Sequence, residues 1–171
     1  MENNEIQTIA IEAPTEEAKK LVTRFMWYSG GVGIIPMPIV DFVGVTALQL
    51  KVVHDLAKIY GLPFNKEIAR AIISTMLAGV TTGALASGTA SFLRSIPLVG
   101  GILGFATIGL YAMATTYAIG HIFIQHFETG GTLLTFKPEK MRAHFEELYN
   151  NGKEIASSMM NDKMGVAPAT K

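Results

Sequence analysis

The residues in this 171-residue chain whose types could do chemistry are few: four histidines, one isolated aspartate and several runs rich in glycine. His54 and Asp55 are adjacent, a pairing that could serve acid–base work or contribute to a metal site. Both fall on the polar stripe of a predicted helix, so they read as a solvated face. His121 and His126 lie five apart, about 500° around a helix, so the two rings diverge and make a poor metal pair. They read as polar groups at a water boundary. Gly30 to Pro38, GGVGIIPMP, precedes a helix and invites a phosphate-binding reading. Its spacing fits neither the dinucleotide fingerprint nor the P-loop. Gly83 to Thr89, GALASGT, comes nearer to a P-loop but lacks the lysine that would reach the phosphates. Cysteine is absent, which excludes thiolate metal sites, thiol nucleophiles and disulfides. No nucleophile, base and orienter can be assembled from what is left. The sequence therefore points to no catalytic residue, no metal, no cofactor and no enzyme.

Two charges stand apart. Asp41 is the only charged residue between Arg24 and Lys51, and it follows a Pro-Met-Pro break. A carboxylate in the first turn of a helix caps it; a partnered functional charge is the other reading. Arg94 alone separates two stretches without formal charge, Ala71 to Leu93 and Ser95 to Phe127. These two stretches must position everything else. A hydrocarbon core about 30 Å thick needs about 20 apolar residues in a helix, and each stretch reaches that length. Neither is uniformly apolar: the first holds seven Ser or Thr and three Gly among 23 residues. Small residues recur there every four positions, at Gly79 and Gly83, Ala84 and Gly88, Ser87 and Ser91. The second begins with Gly100 and Gly104, and Gly101 and Gly109 lie nearby. Such spacing lets helix backbones approach closely, so Gly79, Gly83, Gly88, Gly100 and Gly104 are the predicted packing positions. The stretches are either a membrane hairpin or the buried core of a helical bundle.

Composition narrows the choice of partner. Apolar residues reach 49% and charged residues only 16%, while the net charge is zero, so no global field attracts nucleic acid. The opening residues, MENNEIQTIAIE, do not read as a cleaved signal, so membrane insertion would rest on the internal stretches. A cytoplasmic or inner-membrane protein is expected.

Taken in order, residues 1–13 are polar and expected to be disordered. Pro14 opens an amphipathic helix carrying Ala18, Leu21, Val22, Phe25 and Met26, which stops at Ser29-Gly30-Gly31. Pro38 opens a second, with Val45, Leu48, Val52, Leu56 and Ile59 inward and Gly61 as its C-cap. Asn65 caps a third, which enters the first uncharged stretch; Ile96-Pro97 marks a turn into the fourth. Pro138 begins a last amphipathic helix that buries Met141, Phe145 and Leu148, and a disordered tail follows from 161 to 171. No strand-like alternation occurs. The expected class is all-α: amphipathic helices around a central hairpin, residues 65–127, within one domain spanning 14–160. Two Ile-Pro breaks, each followed by a long helix ending near glycine, suggest an internal pseudo-two-fold repeat.

IPMPIVDFVGVTALQLKVVHDLAKIYG and SIPLVGGILGFATIGLYAMATTYAIGHIFIQHFETGG together resemble the bacterial family called domain of unknown function 697. The similar positions are Ile35-Pro36, Asp41, Thr46-Ala47-Leu48-Gln49 and Ile59-Tyr60-Gly61. They continue with Ile96-Pro97, Gly100, Thr116-Tyr117-Ala118-Ile119-Gly120 and Phe127, over about residues 30 to 131. The resemblance implies association with the lipid bilayer and a connection to a GTPase, since members stand alone or behind Era-like GTPase domains. This chain shows no nucleotide motif of its own. Three functions are consistent with the whole: a non-enzymatic membrane module serving a separate GTPase, a self-assembling pore or membrane-shaping scaffold, and a soluble bundle that binds lipid or a partner helix. Small-residue faces favour a homo-oligomer. Lys and Arg flank the hairpin on both sides with only Arg94 between, which predicts the inner membrane with both termini cytoplasmic.

Overall fold

The computed structural model describes residues 2–32, 38–86 and 102–164, with side-chain surroundings for 14–30, 46–78 and 109–162. Among the described residues there are five helices: α1 Glu2–Val32, α2 Pro38–Ile59, α3 Lys66–Ala86, α4 Ile102–Glu128 and α5 Pro138–Met164. The protein is all-α, and the described residues contain no strand.

Two helix ends differ from what propensity alone dictates. Pro14 lies inside α1 rather than at its start. Gln7, Ala10, Glu12 and Ala13 before it are good helix formers, so the ring costs one hydrogen bond without setting the boundary. At its other end α1 runs through Ser29 and Gly30 to Val32. The buried Ser29 hydroxyl donates to Met26 O at 2.9 Å, and Gly30 is held by packing on α4, described below. Tertiary contact overrides the glycine.

α2 and α4 stop by the same device. Gly61 and Gly130 have φ of 65° and 78°, a conformation that costs an L side chain dearly. Leu62 N–H donates to Ala57 O at 2.8 Å and Gly131 N–H to His126 O at 2.9 Å, closing a Schellman turn on each helix. Asn65 then caps α3 by accepting from Ile68 N–H at 3.0 Å.

The central element is α4. It packs against α1, α2 and α5, while α3 packs on α2 and α5. The hairpin expected at the centre does not emerge among the described residues; its first arm lies to one side. Contact pairs give the directions. Thr15 meets Glu128 and Gly30 meets Gly109, so α1 and α4 are antiparallel. Gln49 meets Thr115 and Tyr60 meets Phe127, so α2 and α4 are parallel. Gln125 meets His144 and Ala114 meets Gly152, so α5 is antiparallel to α4. The bundle consequently has a turn end, holding Gly61 and Gly130, and an opposite end where α1 finishes and α2 and α4 begin. Its core is built on Met26, Leu56, Ile73, Met113, Phe123 and Phe145, all fully enclosed. Each contributes about 1.5–3 kcal/mol on burial.

No helix among the described residues is long and apolar enough to cross a membrane. The expected transmembrane pair therefore finds no span there. Residues 87–101, which join the two uncharged stretches, lie outside the described residues.

Candidate functional site

Three groups of polar residues distinguish this bundle from a plain apolar core. The first is buried between α2 and α4. Gln49 occupies a position on the apolar stripe, four residues after Val45 and three before Val52, and it is fully enclosed. Its Nε2 donates to Thr115 Oγ1 at 3.0 Å. The Thr115 hydroxyl in turn lies 2.9 Å from Tyr111 O and 3.1 Å from Ala112 O, within its own helix. Gln49 Oε1 and the neighbouring Thr116 Oγ1 are buried without a partner. An unmet acceptor of this kind costs about 1–3 kcal/mol. The junction orients α2 on α4 at the expense of stability.

The second group sits at the turn end. Glu128, the last residue of α4, accepts on Oε1 from Thr15 at 2.6 Å and from Tyr60 at 3.1 Å. One carboxylate thereby ties α1 and α2 to α4. Burial, reinforced by the Glu128 charge, pushes the Tyr60 phenol up to about 12. Two turns earlier, the His121 ring lies 4.2 Å from that of Tyr117. Burial holds the His121 imidazole below its ordinary range, Lys19 adds to this and Glu128 opposes it. His126 is used differently: its Nε2 donates to Thr132 O at 2.9 Å, and its ring stands edge-on to Phe136. A Cβ on Gly131 would meet that ring at 2.4 Å, so the loop closes on the histidine only with glycine there. The two histidines diverge as their spacing requires.

The third group is the exposed face of α2. Asp55 accepts from Lys51 at 2.9 Å and pairs with His54 Nδ1 at 2.9 Å, while the His54 ring stands edge-on to Phe64. The arrangement is solvated, as the helical pattern indicates. Among the described residues no group of three or more potential ligands could hold a metal ion.

Of the residues singled out from the sequence, Asp41 is the fourth residue of α2. Gly79 and Gly83 belong to α3 and Gly104 to α4. The surroundings of these four side positions lie outside the described residues, as do Gly88, Arg94 and Gly100 altogether. Close helix approach is instead seen at other glycines. A Cβ on Gly120 would meet Val22 Cγ2 at 2.4 Å, and one on Gly30 would meet Met113 Sδ at 2.7 Å. One on Gly109 would lie 3.2 Å from Gly30 O, and one on Gly152 2.9 Å from Ala114 O. Gly109 and Gly120 are eleven apart, about three helical turns, so they fall on one stripe. That longer spacing was the signal; the four-residue motif hid it.

This is an all-α protein whose polar groups orient and cap helices around a central one. The chain belongs to the family described as "Domain of unknown function (DUF697)", which matches residues 2–154. It is similar to "Magnetosome membrane protein 22" of Magnetospirillum gryphiswaldense, 31% identical over 151 residues, 88% of this chain and 77% of that one. No solved structure matches. Of the segments that carried the resemblance, Thr46-Ala47-Leu48-Gln49 meets α4 through Gln49, whose partner Thr115 immediately precedes Thr116-Tyr117-Ala118-Ile119-Gly120.

Proposed function

We propose that this protein is a non-enzymatic, membrane-associated helical module of the bacterial inner membrane, serving a separate GTPase. The observation that carries the reading is its 31% identity, over 88% of its length, to a relative whose name describes a membrane protein. The uncharged stretches give this a physical basis, since neither carries a formal charge for lipid to reject. The GTPase as partner rests on the family resemblance, and both termini are assigned to the cytoplasmic face. Asp41 and Arg94 are the charges that this function would need to partner. The test is flotation: the full chain is mixed with vesicles of phosphatidylcholine and phosphatidylglycerol and spun through a density gradient. Membrane association predicts recovery with the vesicles; a chain that stays in the dense fraction overturns the reading.

Self-assembly is a second reading, favoured by α3. Its exposed face carries Ala71, Ser74, Thr75 and Ala78 at helical spacing, a small-residue surface. Crosslinking on the vesicles distinguishes the two: a ladder of multimers supports a homo-oligomeric scaffold, and a single band supports a module that works as one copy.

A further inference from the structure

We infer that the bundle end opposite the Gly61 and Gly130 turns is the surface that enters the lipid, with Trp27, Tyr28, Tyr111 and Tyr149 at the headgroup layer. This rests on the membrane-association reading and names the part of the molecule that carries it.

Charge is the first observation. On α1 the last charged residue is Arg24, and none follows to Val32. On α2 the only charge before Lys51 is Asp41. On α3 none follows Arg70, and on α4 the only one is the final residue, Glu128. The packing directions turn this linear pattern into a spatial one. α1 and α3 run away from the turn end, α2 and α4 run toward it. Every charge of the four helices except Asp41 therefore lies on the turn-end side of Tyr28 and Thr115. A partition that coincides on four helices, two of each direction, is what a polar–apolar boundary imposes.

The aromatic residues are the second observation. Gly30 meets Gly109 and Met113, which puts Trp27 and Tyr28 below that crossing, within about one turn of the level of Tyr111. The Tyr111 ring lies 6.0 Å from that of Tyr149 on α5. Four amphipathic rings from three helices thus share one level of the bundle, at the charge boundary. Tyr28 is 53% exposed, and the other three are half-buried. An apolar body against protein with a polar tip at the surface suits the interface between headgroups and acyl chains. α5 limits the depth. It keeps charges past this level, with Lys153 Nζ 5.3 Å above the Tyr149 ring and Asp162 beyond. Its side of the end stays in the headgroup layer while α1, α2 and α4 go deeper. Among the residues whose surroundings are described, the opposite end offers a single exposed leucine, Leu134, with Glu128, Lys137 and Glu139 nearby in the chain, and one exposed apolar side chain is ordinary.

Trp27 is the only tryptophan, so the unmodified chain carries its own reporter at the proposed boundary. The full chain is floated with vesicles containing about a quarter phosphatidylglycerol. Its fluorescence is then quenched by lipids spin-labelled near the headgroup or at mid-chain, and by aqueous iodide. The expected result is at least about twofold stronger quenching by the shallow label and about threefold protection from iodide. A second protein, Trp27→Phe with Leu134→Trp, moves the reporter to the turn end, where it should stay open to iodide and unquenched by either lipid. Should the chain float with Trp27 as iodide-accessible as in solution, the orientation is overturned and membrane association survives. Should the turn-end reporter be the quenched one, the orientation is reversed. A chain that does not float ends both readings. If the double variant fails to fold, the Trp27 measurement alone decides.

Discussion

The two ends of this bundle solve the problem of helix termination in opposite ways. At the turn end the devices are polar and, the Glu128 bridge apart, local. Schellman turns at Gly61 and Gly130, the Asn65 cap, the His126 hook on Thr132 and the Glu128 bridge to Thr15 and Tyr60 satisfy groups that helix ends leave unpaired. At the other end the helices meet through glycine and aromatic contact: Gly30 on Gly109 and Met113, Tyr111 on Tyr149. The first end is complete in water. The second is built from close approach and, α5 aside, carries almost no charge, which suits surroundings other than water. The difference teaches that charge placement along a helix, read together with its direction, can orient a molecule whose chemistry is otherwise silent.

The largest expected effect tests the α1–α4 crossing. Gly120→Ala puts a methyl 2.4 Å from Val22 Cγ2, and a buried, β-branched valine in a helix strongly prefers one rotamer, so it retreats only at a cost. A loss of about 3 kcal/mol is expected, read as a fall in Tm of roughly 6–12 °C for a chain of this size. Adding Val22→Ala should recover more than half of it, because the double variant removes the clash. Gly109→Ala, 3.2 Å from a backbone oxygen, should cost only about 1 kcal/mol. If Gly109→Ala proves the more damaging of the two, the tightest approach of α1 to α4 lies at the aromatic end and not at Gly120.

Next comes the buried junction that lies between the two ends. Gln49→Ala removes a fully enclosed side chain and should cost about 2–3 kcal/mol. Gln49→Leu fills the same space and abolishes the orphan Oε1, while Thr115 keeps its bond to its own helix. Its expected effect is neutral to about 1 kcal/mol stabilising. Chemical denaturation of both variants checks the pair. A leucine variant as damaged as the alanine one would mean that the polar contact itself, more than the packing, holds α2 on α4.

What could be read from the sequence divides along the same line as the molecule. The turn end was legible: Gly61, Asn65, Pro138 and the divergence of His121 from His126 all follow from local rules acting on neighbouring residues. The all-α class and the inward faces of α1, α2 and α5 followed from periodicity. Long-range features were not. Nothing within a few residues of Gly120 says that Val22 will lie against it, because that contact depends on two helices meeting 98 positions apart. Pro14 was a reasonable helix start by propensity, and α1 ran through it. Gln49 carried a visible signal, a polar residue on an apolar stripe, but its partner Thr115 could be named only from the structure.

A smaller effect separates the ends by pH. The unfolded His121 titrates near 6.5, and burial lowers that value in the folded protein. The folded state therefore resists protonation: the associated stability is present above 6.5 and is lost as pH falls through the lower folded value. Amides in the last turns of α4 should lose hydrogen-exchange protection on acidification before Trp27 emission changes. In His121→Gln that early loss should be reduced. Simultaneous change at both ends would show that acid acts on the fold as a whole.

The smallest expected effect concerns the carboxylate at the turn end. Glu128 is exposed, and its bonds to Thr15 and Tyr60 compete with water, so Glu128→Gln should alter Tm by no more than a degree or two. Its electrostatic signature is clearer. Burial comes first among the causes that raise the Tyr60 phenol to about 12, and the negative charge of Glu128 comes second. Tyr149, also near 12, owes its shift to burial and then to Tyr111, with no part played by Glu128. Alkaline titration followed by phenolate absorbance, in which burial delays Tyr111 too, should thus show Tyr60 and Tyr149 ionising late in the parent chain. In Glu128→Gln one of them should ionise earlier while the other stays in place, because neutralising the carboxylate relieves only the turn end. A variant in which both move would mean that the two ends are electrostatically coupled through α4. One in which neither moves would mean that burial alone sets Tyr60, and the bridge from Glu128 to α2 would then be a contact without electrostatic consequence.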